Sequence, residues 1–63
     1  IIMNEYDVKR LALVLAVQAE IEGGKAENKF YEILGHELPY REEHFYAKAE
    51  ELRDLAYKHN EQL

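Results

Sequence analysis

Sixty-three residues limit the chain to one small domain, positions 1–63, and a chain this short buries only about 60% of its unfolded surface, which leaves its stability marginal without a staple or a partner. Thirteen acidic against eight basic residues give a net charge of −5, which opposes nonspecific attraction to nucleic-acid phosphates and anionic membrane surfaces. Cys, Ser and Thr are all absent, so disulfides, the usual hydroxyl and thiol nucleophiles and Ser/Thr phosphorylation are excluded; a reducing cytoplasm is the expected location.

Ile1 and Ile2 precede the only methionine, Met3, and are read as residues placed ahead of a native start. Asn4 followed by Asp7 has the spacing of a helix N-cap with an acidic third residue, so a helix is expected to start near residue 5. Leu11 to Val17 is apolar on nearly every side. The run ends at Gln18 and Glu20, short of the ~18 residues needed to span a bilayer. Acidic Glu5 and Asp7 before it and an acidic segment after it argue against a signal peptide.

At roughly 100° per residue, Val8, Leu11, Leu15 and Ala19 fall on one side of this helix and Leu13, Val14, Val17 and Ile21 on the other. The first stripe continues through Ala26, Phe30 and Ile33 without a phase shift at Gly23-Gly24. One long helix from about 7 to 34 is therefore expected. The alternative breaks the helix at the glycine pair and yields a three-helix bundle.

Gly35 suits a left-handed C-cap, and Pro39 suits the first turn of a following helix. The expected loop is Gly35 to Leu38, and the second helix runs from 39 to about 62. Glu42 and Glu43 in its first turn and Lys58 and His59 in its last complement the helix dipole; an Asp54–Lys58 pair is expected to support it. Its apolar stripe is Phe45, Ala49, Leu52, Ala56 and Leu63, with Leu55 beside it and His59 on it.

Folding back at the loop places Phe30 opposite Phe45, Ala26 opposite Ala49, Ala19 opposite Ala56 and Leu15 opposite His59. The result is an all-α helical hairpin. That pairing leaves Leu13, Val14, Val17 and Ile21 uncovered, and with Arg10 and Gly24 they recur at bundle-seam spacing. Two hairpins joined through this seam form a homodimeric four-helix bundle. A second contact line is Tyr46, Arg53 and Tyr57, together with Glu50, on one side of the second helix.

His36, His44 and His59 lack the Glu-x-x-His or His-x-x-x-His spacing of a helical metal site, so no metal, cofactor or catalytic residue is expected. Gly23-Gly24-Lys25 lacks the earlier glycine and following Ser or Thr of a phosphate loop. The chain is read as a small acidic, non-catalytic protein that self-associates as an interaction or regulatory module. The alternative is a regulator of one larger protein, of the kind phages and mobile elements encode. A metal-binding bundle is a remote third reading.

Overall fold

The computed structural model describes residues 4–63; Ile1, Ile2 and Met3, and the reading of a displaced start, lie outside the described residues. Among the described residues the chain forms α1 (Glu5–Ile33), α2 (Glu42–Tyr57) and a short 3₁₀ turn, Asn60–Gln62, with no strand. α1 begins where the sequence places it. The Asn4 side-chain oxygen accepts the Asp7 backbone N–H at 2.9 Å, satisfying one of the donors a helix start leaves free.

α1 passes through Gly23-Gly24 unbroken for 29 residues, about 43 Å, so the three-helix alternative gives way to a two-helix hairpin. Tertiary packing adds to the unbroken apolar phase. Gly24 is the buried residue of α1, and a Cβ built there stands 3.6 Å from Phe45 Cε1 and Cζ and from Tyr40 Cδ2. The Phe45 and Tyr40 rings cover the helix at Gly24, at a distance that is ordinary van der Waals contact for a Cβ, and their packing supports the helix where a glycine costs ~1 kcal/mol.

α1 ends in a Schellman turn: the His36 N–H donates to the Tyr31 carbonyl and the Gly35 N–H to the Glu32 carbonyl, both at 3.0 Å. Gly35 has φ +75°, the left-handed conformation glycine adopts at least cost. Tyr31 and His36 close the motif with ring centroids 6.2 Å apart.

The connection runs to eight residues, 34–41, and α2 starts at Glu42 rather than at Pro39. Leu38 precedes a proline and is steered away from helical backbone, while Asn28 clamps Tyr40 just beyond that proline. Its side-chain amide donates to the Tyr40 carbonyl at 2.8 Å and accepts the Tyr40 N–H at 3.0 Å. Those two bonds bind the loop to the flank of α1 and delay the second helix.

α2 also stops early, at Tyr57 instead of near 62, with Lys58 and His59 in extended backbone. The dipole complement expected from those two residues comes from α1. Arg10 Nε donates to the Leu55 carbonyl at 2.9 Å, and Nη2 donates to the Lys58 carbonyl at 2.6 Å and to Asn60 Oδ1 at 3.2 Å. One guanidinium thus satisfies carbonyls left open at a helix end.

The two helices run antiparallel, but in a different register and through a different face of α1 than the sequence pattern suggests. Phe45 packs on Gly24 instead of Phe30, a displacement of six residues or about 9 Å. Glu20 meets Lys48, and Arg10 meets the end of α2 near Leu55. The face against α2 is Arg10, Val14, Val17, Ile21, Gly24 and Asn28, all half-buried or buried. Val8, Leu11, Leu15, Ala19, Ala26, Phe30 and Ile33, assigned to the hairpin interior by the pattern, are all exposed. The four-three spaced seam wins because it carries the residues that fit α2: glycine under the rings, an amide for the loop and a guanidinium for the helix end.

On α2 the inward stripe is largely as expected. Phe45, Ala49 and Leu52 are half-buried and Leu55 is buried, whereas Ala56 is exposed and Lys48 takes an inward place. His59 is exposed, not seated beside Leu15. No described helix is long and apolar enough to cross a membrane.

Candidate interaction face

Two helices can bury only the strip between them. Leu55, at 8% exposure, is the only buried apolar side chain among the described residues other than glycine, although 48% of the chain is hydrophobic. The molecule exposes 5210 Å², against about 4,250 Å² for a compact monomer of this mass. Its radius of gyration is 15.0 Å, where a compact chain of this length has roughly 10.6 Å. A rod with a thin core carries about 1,000 Å² more surface than a globule of its size.

α1 contributes a row of exposed apolar side chains to that surface. Val8, Leu11, Leu15, Phe30 and Ile33 are 53%, 47%, 58%, 59% and 73% exposed. With Ala19, Glu22 and Ala26 they recur at intervals of three, four and four residues, an eleven-residue repeat that keeps a stripe straight along a helix. At 100° per residue this stripe lies opposite the seam that holds α2. α1 is apolar on two opposite faces, and α2 covers one.

The interface residues named from sequence separate accordingly. Leu13 and Val17 line the groove shared with Asp54, Leu55 and Lys58, and Val14 and Ile21 are half-buried on the same side. These four lie on the side of α1 that packs toward α2, and each keeps part of its surface exposed. Tyr46 and Tyr57 stand out at 67% and 85% exposure. Arg53 lies between them on the same side of α2, paired with Glu50 at 2.6 Å.

Charge is arranged around these faces. Lys48 bridges the helices by contacting Glu20 and, at 3.1 Å, Glu51. Its hydrogen bond to Glu20, then that to Glu51, holds the ammonium pKa above 10.5. The Glu27 carboxylate raises the Tyr40 hydroxyl above 10.0. His44 stacks against Tyr40, with centroids 4.5 Å apart, and meets Phe45 edge-on at 5.2 Å. His36 and His59 are exposed. Among the described residues no three His, Asp or Glu side chains converge as a metal set.

Sequence reasoning missed Arg10 and Asn28 as hairpin clamps. Their signal was present: both interrupt an apolar seam in phase with it, as polar residues that fix register do. No protein-family model, curated protein or solved structure matches the chain.

Proposed function

We propose that the chain is a small non-catalytic interaction module that works as a homodimer, with the outer stripe of α1 as its interface and the two α1 helices at the centre of a four-helix assembly. The observation that carries this reading is the excess surface. A standard specific interface removes about 800 Å² from each partner, and the hairpin exposes about 1,000 Å² more than a compact monomer. Pairing the stripes brings the chain to the surface economy of a stable fold. The missing Ser, Thr and Cys support a role in binding rather than covalent chemistry, and the absence of Cys suits a cytoplasmic setting.

A larger protein partner is the second reading, favoured by the exposed Tyr46, Arg53 and Tyr57 on α2, residue types common at interface hot spots. Leu15→Glu and Tyr57→Glu separate the two, followed by sedimentation equilibrium. The wild type and Tyr57→Glu are expected at twice 7.5 kDa, and Leu15→Glu at the monomer mass. A Leu15→Glu chain that stays dimeric, or a wild type that is monomeric at high micromolar concentration, overturns the outer-stripe dimer.

A further inference from the structure

We infer that the two α1 helices pair antiparallel, about a two-fold axis that crosses the stripe midway between Ala19 and Glu22; the inference rests on the dimeric reading above. Its basis is the order of the outer stripe. Positions 8, 11, 15, 19, 22, 26, 30 and 33 are spaced three, four, four, three, four, four, three, which reads the same in both directions. An antiparallel isologous interface needs this property, because residue i must meet residue j of the second copy while j meets i.

Antiparallel pairing sets Val8 against Ile33 of the second copy, Leu11 against Phe30, Leu15 against Ala26 and Ala19 against Glu22. Large meets small in the two central layers, so side chains interdigitate across a short interhelical distance. Parallel pairing sets each residue against itself. Ala19 then faces Ala19 and Ala26 faces Ala26, leaving gaps that Leu15 and Phe30 on either side prevent from closing. It also stacks Glu22 on Glu22, two carboxylates in the middle of an apolar strip, where like charges repel. In the antiparallel arrangement each Glu22 faces an alanine and keeps its own Lys25, 3.3 Å away, and the two Glu22 are offset by three residues, about 4.5 Å, along the axis.

The glycine pair is compatible with this geometry. Gly23 has no neighbouring atom within 4 Å of a built Cβ, and it borders the stripe next to Glu22, so the second helix meets no side chain there. α1 is also long enough: the 25 steps from Val8 to Ile33 span about 37 Å.

Because the chain contains no Cys, introduced thiols report the pairing without background. Leu15→Cys and Ala26→Cys chains are oxidised in a glutathione buffer, each alone and mixed after joint refolding. Antiparallel pairing keeps identical positions eleven residues, about 16 Å, apart along the axis, beyond disulfide reach, and brings 15 opposite 26. Mixed disulfide should then exceed either self-disulfide by about tenfold or more. Leu11→Cys mixed with Phe30→Cys repeats the test one layer out, so a defect specific to one variant cannot decide the result. Efficient self-disulfides of each single variant mean parallel pairing and overturn the inference. A dimer by sedimentation that gives no disulfide from either pair overturns it as well, whereas monomeric wild type refutes the dimeric reading itself.

Discussion

Arg10 is the residue whose removal tests the hairpin most sharply. Its guanidinium makes three hydrogen bonds to the end of α2, to the carbonyls of Leu55 and Lys58 and to Asn60, and also stands 3.8 Å from Asp7. The side chain is only 22% exposed. The part-buried bond to Leu55 is charge-assisted and is expected to contribute about 1.5–2 kcal/mol, and the two solvent-facing bonds roughly 0.5 kcal/mol each. Arg10→Ala should therefore cost about 2.5–3 kcal/mol, read from urea unfolding followed by far-UV circular dichroism at one fixed protein concentration. Arg10→Lys should recover only about 1 kcal/mol, because a point charge cannot fork across two carbonyls. Amide exchange should accelerate from Leu55 to Leu63 in Arg10→Ala while the centre of α1 stays protected. A loss under about 0.5 kcal/mol, or full rescue by lysine, would falsify the clamp.

Gly23→Ala meets open space and should raise stability by up to about 1 kcal/mol in thermal melts. Gly24→Leu, driven into the Phe45 and Tyr40 rings, should lower it by about 1–3 kcal/mol; equal effects at the two glycines would contradict the packing described for Gly24. Asn28→Ala removes both bonds to Tyr40 and should cost about 1–2 kcal/mol, with faster exchange confined to the loop and the start of α2. Lys48 and Tyr40 both hold their protons more tightly in the fold than their ordinary values of 10.5 and 10.0. Their contribution is complete below those values and lost as pH rises through the raised ones, so the wild type should weaken more steeply than Lys48→Gln above pH ~10. Parallel pH profiles for the two proteins would remove the Glu20–Lys48–Glu51 bridge from the account.

The elements themselves were legible in the sequence because local chemistry decides them. Asn4 caps α1 through Asp7, Gly35 ends it in a left-handed turn, and unbroken phase carries it across Gly23-Gly24. Pairing was not legible to the same degree. α1 offers two apolar faces, and hydrophobicity alone does not say which one α2 takes; the longer, more continuous stripe was the natural choice and lies outside. The deciding residues were polar or small. Gly24 lies under two rings, and Asn28 and Arg10 bond loop and helix-end backbone 12 and 45 residues away. Such contacts carry no periodicity. The same long-range bonds explain why α2 is shorter at both ends than its pattern, since Tyr40 is bound to Asn28 and the carbonyls beyond Leu55 to Arg10. Exposure of Tyr46 and Tyr57, by contrast, followed directly from their place opposite the Phe45–Leu52 stripe.

The central claim, that this hairpin completes its core with a second copy of itself, is tested most directly by light-scattering mass over a dilution series, with circular dichroism on the same samples. The account predicts twice 7.5 kDa at high concentration, with mass and helicity falling together on dilution, because a hairpin with so thin a core depends on its partner. A 7.5 kDa species that stays fully helical at every concentration contradicts it.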